Sequence, residues 1–301
     1  MEIEKHDLWN GKTGGQPWMQ RMLITWLRLM DIRILYFMMG WVVPFYMLCN
    51  RKGYTSTYNF FRKRFAFSPL KSFRYVYLNH FRFGQIILDR FAFYAGKTFK
   101  FEIDGYERFK HLASREEGFL QLSSHIGNYE LAGYSLVAKE KHFNVLVFSG
   151  ETETIMRNRA RVLSKNKMCM IPVKEDMSHV FLLNKALNNG EIVSMPGDRI
   201  FGSPKYVECL FFGEKAKFPI GPFAVAVQRK VQVLAVFVMK ESVDKYKIFI
   251  REVNIGSAEE GQLSQKEKME KLAKVFATEL EKVVRMYPVQ WFNYYDFWSH
   301  L

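Results

Sequence analysis

The stretch LQLSSHIGNYELAGYSL (Leu120–Leu136) ends an apolar run, FLQLSS, on a histidine and opens a helical pattern beyond a glycine and an asparagine. A run that short reads as a buried strand. Gly127 and Asn128 allow a sharp turn before a helix that starts near residue 128. His125 then stands just past a strand's carboxyl end, where open α/β sheets place their sites. Glu130 follows five residues later. Within one helix such residues point about 140° apart, so the imidazole and carboxylate can meet only if the histidine lies in the turn. Spacing alone leaves two readings open, a catalytic pair or the polar edge of a buried strand.

Downstream, the runs FNVLVFS, MCMIPV, EIVSM, VECLFF, VQVLAVFVM and KIFIREV alternate with helical patterns near 128–140, 152–166, 177–188 and 218–229. Short apolar runs between helices predict an α/β fold: a mixed, mainly parallel central sheet flanked by helices. A last helix has Met269, Leu272, Phe276, Leu280 and Val283 on its apolar face, with Pro288 past its end. Gly213 and Gly221 suggest a tight turn and a close helix approach, and Pro219 a helix start.

Upstream, ILYFMMGWVVPFYMLC (Ile34–Cys49) carries no charge but is interrupted by Pro44. Crossing a bilayer takes about 20 residues, so this run predicts a short, kinked or interfacial anchor, with a buried core helix as the alternative. Between Arg51 and Lys100 there are 11 basic residues against one acidic, interleaved with 15 aromatics. That mixture suits a surface pressed onto anionic lipid. Basic residues after the apolar run favour the cytoplasmic side. The expected organisation is an N-terminal hydrophobic, amphipathic and helical membrane-associating region over residues 1–100, and an α/β catalytic domain over 101–301, the two forming one continuous unit.

The formal net charge of +14 calls for a polyanionic partner: nucleic acid, an anionic membrane surface or an acidic protein. The apolar run, and the lack of an RRM, KH or helix-turn-helix signature, argue against nucleic acid. Cys49, Cys169 and Cys209 have neither disulfide nor zinc-ligand spacing, and no His, Asp and Glu cluster suggests a metal. The first residues lack the order of a cleavable signal peptide.

Four blocks carry a resemblance. HIGNYELAG resembles the H-x4-D/E motif of the lysophospholipid acyltransferase superfamily, most closely the H-x-G-N-W/Y-E form of bacterial lipid A late acyltransferases. SMPGDRIFG (Ser194–Gly202) resembles that family's P-D-Q-D-x-G region, FFGEKAKFPIGPFAVAV (Phe211–Val227) its FFG region, and YPVQWFNYYDFW (Tyr287–Trp298) its P-x-Q-W segment. The likeness spans about residues 115–300 and departs at Arg199 and Ile200, where the family has glutamine and a second aspartate.

The resemblance implies that His125 is a general base oriented by Glu130, and that a hydroxyl of a lipid-linked sugar attacks an acyl thioester directly. No added cofactor is implied: acyl carrier protein, or coenzyme A, supplies the acyl group. Arg157 with Asn158 is the expected oxyanion and substrate-binding pair. Asp198 and Arg199 are expected to bind substrate, and Arg159 and Arg161 to bind an anionic substrate or the carrier. The expected partners are the carrier protein, a glycolipid acceptor and an anionic membrane, at the cytoplasmic face of the bacterial inner membrane. A lysophospholipid or amino-acid-linked lipid acceptor, a non-catalytic scaffold and a nucleic-acid binder are the alternatives.

Overall fold

The structure is a computed structural model that describes residues 17–136, 141–147, 168–174, 176–200, 205–256 and 261–298. Four helices come first: α1 (Pro17–Leu29), α2 (Ile32–Cys49), α3 (Arg51–Arg64) and α4 (Pro69–Tyr94). Then follow β1 (Lys100–Asp104), α5 (Tyr106–Ala113), β2 (Phe119–Ser123), α6 (Tyr129–Ser135), β3 (Phe143–Val147), β4 (Met168–Pro172), α7 (Ser178–Asn188) and β5 (Ile192–Pro196). The chain continues through β6 (Tyr206–Phe211), β7 (Glu214–Pro219), α8 (Gly221–Arg229), β8 (Val233–Lys240), β9 (Lys245–Glu252) and α9 (Gln265–Met286).

Seven strands form one sheet in the order β1-β9-β8-β2-β5-β3-β4. β8, β2, β5, β3 and β4 are mutually parallel, whereas β9 runs antiparallel to β8 and carries β1 parallel to itself. This is the mixed, mainly parallel sheet that the alternating runs predict. β8 shows why it sits centrally: all eight of its residues are buried, and they alternate between two cores. Val233, Ala235, Phe237 and Met239 face the core that holds Leu272, Phe276, Leu280 and Val283 of α9. Leu234, Val236 and Val238 face Ile86, Phe109, Leu112 and Leu131 of α4, α5 and α6. A strand with helices on both faces has no wet side, which is why its sequence reads as an unbroken apolar run.

Three features depart from the sequence reading. VECLFF lies outside the main sheet: β6 pairs only with β7, antiparallel, and alternates exposed with buried residues. Phe212 and Gly213 link the two strands with φ of 53° and 79°, the paired positive angles of a two-residue type I′ hairpin. Phe218 and Pro219 close β7, so the helix there starts at Gly221 with Pro222 in its first turn, and no atom approaches the position a Gly221 Cβ would take. Gly213 therefore serves the turn, but Gly221 serves no close packing. The predicted helix near 152–166 lies outside the described residues.

The head is not a separate layer. Val43 and Met47 of α2, Phe60 and Phe61 of α3 and Val76 of α4 join the same core as Leu120 and Leu122 of β2. Past Arg33 in its first turn α2 carries no charge, and Ile32, Leu35, Tyr36, Val43 and Met47 face inward. Phe37, Trp41, Phe45 and Leu48 form an outward stripe, each about 70% exposed. Only 28% of its most apolar stretch is buried, which sets it apart from a core helix. An outward apolar stripe of that kind marks an interaction surface.

Below α2, the structure buries a charge pair. Lys240 Nζ at the end of β8 lies 2.6 Å from Asp89 Oδ2 on α4, and both side chains are fully buried. Tyr36 of α2 and Tyr246 of β9 also donate hydrogen bonds to Asp89, one to each oxygen. Burial pushes the Asp89 carboxyl up and the Lys240 ammonium down, and their attraction opposes both shifts. Removing one member of such a pair leaves the other uncompensated, at a cost of about 3–5 kcal/mol, whereas replacing both by apolar groups is often close to neutral. Asp89→Ala should therefore lower unfolding stability by about that amount in a urea titration of the detergent-solubilised protein. The double change Asp89→Leu with Lys240→Met should recover only part of it, because the Tyr36 and Tyr246 hydroxyls still lose their acceptor.

Candidate active site

β2 and β5 pair in parallel from Phe119 opposite Ile192 to Ser123 opposite Pro196. The amide of Gly197 extends the ladder by donating to the Ser123 carbonyl at 2.9 Å. His125 and Asp198 each lie two residues past the last matched pair, so the register brings them level. Asp198 Oδ2 accepts from the His125 backbone amide at 2.7 Å, and Oδ1 lies 2.9 Å from Nδ1 of the imidazole. A carboxylate only accepts, so the contact assigns the proton to Nδ1 and leaves the lone pair on Nε2. Asp198 is 1% exposed, whereas a quarter of the imidazole is open to solvent. The buried carboxylate thus holds the ring by one edge and leaves the other accessible.

The turn that carries the histidine has its backbone groups paired from three directions. The amide of Gly127 donates to the Gln290 carbonyl at 2.8 Å, that of Asn128 to Val238 at 2.8 Å, and that of Phe292 to the His125 carbonyl at 2.9 Å. Gly127 has φ of +56°, and a Cβ there would fall 2.0 Å from the Val238 carbonyl oxygen. No other residue fits without moving β8 or the turn. Gln290 fixes its own segment to the end of β8: its side chain accepts from the Lys240 amide at 2.9 Å and donates to the Lys240 carbonyl at 2.8 Å.

The imidazole's proton affinity lies below its ordinary value, first because it is desolvated and second because of the Arg199 charge, with Asp198 pulling the other way. Burial alone would raise the Asp198 carboxyl, but the charge and hydrogen bonds of His125, helped by Arg199, hold it below the usual range. The ring is therefore neutral at neutral pH, with the Nε2 lone pair unprotonated, while Asp198 stays ionised.

Two expectations need correction. The structure places Glu130 against α4, and the contact to the imidazole nitrogen is made by Asp198. Glu130 lies in the first turn of α6, with one oxygen 3.3 Å from Arg90 Nη1 and the other accepting from the Tyr94 hydroxyl at 3.1 Å. The five-residue spacing turns its side chain towards α4, and Asp198 has the contact expected of it. Asp198, conversely, is no substrate ligand, because both of its oxygens serve residue 125 and it is sealed from solvent. Arg199 donates from Nη2 to the Phe292 carbonyl at 2.6 Å, and its guanidinium lies 5.7 Å from the Tyr295 ring centroid. Arg157, Asn158, Arg159 and Arg161 lie outside the described residues. Gln290 and Arg90 were not singled out in the sequence; for Gln290 the P-x-Q-W segment was the available signal.

Among the described residues no group of three or more His, Cys, Asp or Glu could hold a metal ion. What the site presents is an oriented, partly exposed imidazole at the carboxyl ends of parallel strands, a group able to accept a proton from a hydroxyl. The class is thus an α/β enzyme with its candidate site at the strand ends. Residues 94–298 match the bacterial lipid A biosynthesis acyltransferase family, and the chain belongs to it. The protein is an acyltransferase, as its four motif blocks suggest, and its family is membrane-associated. Among solved structures it is similar to the 1-acyl-sn-glycerophosphate (LPA) acyltransferase PlsC from Thermotoga maritima, at 14% identity over 86% of this chain and 98% of that one, with a TM-score of 0.39. No curated protein matches the chain.

The lowered imidazole affinity fixes the sign of a pH effect. A base must be unprotonated to act, so the acidic limb of the rate profile should fall below the ordinary histidine value of 6.5. Asp198→Asn removes the charge that stabilises the imidazolium and offers a donor in place of an acceptor. It should cost about 10²-fold or more in kcat. A profile of acyl transfer against pH for both proteins checks the two expectations together.

Proposed function

We propose that the protein moves a fatty acyl chain from a thioester on acyl carrier protein to a hydroxyl of a lipid A-type glycolipid, at the cytoplasmic face of the bacterial inner membrane. In this reading His125 Nε2 takes the acceptor's hydroxyl proton while the oxygen attacks the thioester carbonyl. The new C–O bond forms, the tetrahedral intermediate collapses with loss of the C–S bond, and the imidazolium returns the proton to the leaving thiolate. Asp198 holds the tautomer throughout and stabilises the imidazolium. General-base help of this kind contributes about 10²- to 10⁴-fold.

The observation that carries the reading is the His125–Asp198 contact at the ends of β2 and β5, in a chain of the lipid A acyltransferase family. The acyl chain and the acceptor are both lipids, which suits the outward stripe of α2 and the exposed Trp18 and Trp26 of α1. The basic residues of α3 and α4 suit an acidic carrier or anionic headgroups. Arg157 and Asn158 remain the proposed oxyanion ligands, and Arg159 and Arg161 the proposed contacts to the carrier. Arg199, where the family has glutamine, adds a cation that favours an anionic acceptor.

The test compares wild type with His125→Ala, both shown to be folded, for transfer of labelled acyl chains from acyl carrier protein to total membrane lipid, with products identified by mass. We expect the variant to lose one acylated glycolipid. An acylated lysophospholipid or amino-acid-linked lipid in wild type would replace the acceptor, and transfer from coenzyme A alone would replace the donor. Undiminished labelling by the variant would remove His125 from the chemistry.

A further inference from the structure

Arg90 lies on α4, four residues before the span that matches the family. It nonetheless meets three consecutive residues directly after the histidine turn. Its Nε donates to Asn128 Oδ1 at 3.3 Å, its guanidinium lies 4.8 Å from the centroid of the Tyr129 ring, and Nη1 lies 3.3 Å from Glu130 Oε1. These are the N-cap and the first two residues of α6. Tyr94, one turn along α4, donates to the other oxygen of Glu130. Arginine suits such a grip, because its planar fork binds a carboxylate and an amide oxygen while its face stacks on a ring.

The grip reaches the base through Tyr129, whose ring stands edge-on to the imidazole with centroids 5.7 Å apart. On its far side it is tied to the buried charge pair: Asn128 donates to the Tyr246 hydroxyl at 3.4 Å, and Tyr246 donates to Asp89, the residue before Arg90. Glu130 has a side chain only 8% exposed and Arg90 one 19% exposed, so their pairing is largely shielded from solvent. Both of Glu130's oxygens are engaged on α4.

We propose that Arg90 is a positioning residue for His125, and that Glu130 acts through Arg90 rather than on the imidazole. This rests on the reading of His125 as the base. Arg90 holds Tyr129 against the ring and keeps the first turn of α6 in place. Its charge is also felt at the histidine, where it disfavours the protonated ring. Among the described residues, the other groups that face His125 are Asp198 and Arg199, from the loop after β5, and Tyr129 of α6.

A double-mutant cycle tests this. Wild type, Arg90→Gln, Glu130→Gln and the double variant, each confirmed as folded by circular dichroism, are assayed for acyl transfer from labelled acyl carrier protein over about pH 5 to 9. We expect each single change to lower kcat/KM by about 10- to 100-fold, and the double to be no worse than the poorer single. The acidic limb should move to higher pH in Arg90→Gln, because a cation beside the base is gone. Arg90→Lys should restore the position of the limb but not the full rate, and it replaces Arg90→Gln in the cycle if that variant does not fold. Losses that multiply in the double variant, or a limb that stays in place in Arg90→Gln, would overturn the proposal. His125→Ala separates the two failures. If it is inactive while the losses multiply, only the role of Arg90 falls; if it retains full transfer, the reading of His125 as the base falls first.

Discussion

The register between β2 and β5 is the constraint on which the site depends. Two neighbouring parallel strands that end level send their next residues out side by side, and here those residues are a histidine and an aspartate 73 positions apart in sequence. A slip of one residue would turn every side chain of the strand to the other face, parting the pair and moving Leu120 and Leu122 from the core shared with α9 into the one shared with α4, α5 and α6. The register is held by burial on both faces of the sheet, so the apolar core sets the catalytic geometry. Because Asp198 spends one oxygen on the His125 amide and the other on the ring, it fixes backbone and side chain together.

What remains is to hold a turn that has no regular structure of its own. β8 and the C-terminal segment take its amides and carbonyl, and α4 runs beneath both. Asn79 of α4 donates to the carbonyls of Val289 and Trp291, Asp89 receives Lys240 and Tyr246, and Arg90 and Tyr94 meet Glu130. Among the described residues, one helix thus touches β8, the C-terminal segment and α6, each of which meets the histidine turn. Buried polar contacts of this kind add little net stability, but each is costly to leave unpaired, so they select a single arrangement among those the apolar core alone would tolerate.

The strand–turn–helix around His125 was legible because its periodicity changes at Gly127, and the sheet because its strands are buried on both faces. β1 and β7 were not, since KFEID and EKAKFP are polar edge sequences without an apolar run. The partner of the histidine was misread for a physical reason. A spacing rule ranks carboxylates by distance along the chain, and five residues along a turn and helix direct Glu130 to the wrong side, while Asp198 comes close only through strand pairing. Arg90 was hidden in a basic and aromatic segment whose composition is explained by a membrane surface, and nothing in that composition marks one arginine as facing inward.

That overlap between head and site follows from what the protein handles. α2 has an apolar stripe on each side, one shared with the core of the sheet and one exposed. Its Tyr36 donates to Asp89, which stands next to Arg90 in α4. The surface suited to lipid and the residues around the base are therefore separated by little more than one helix, and both belong to the same packed body. A separate anchor on a flexible linker would hold the enzyme near a membrane, but an acyl chain would then have to cross water to reach the candidate site, at about 0.8 kcal/mol for each methylene exposed. Building the apolar face into the core that positions His125 avoids that exposure. It also fits the packing of residues 17–100 as part of the fold.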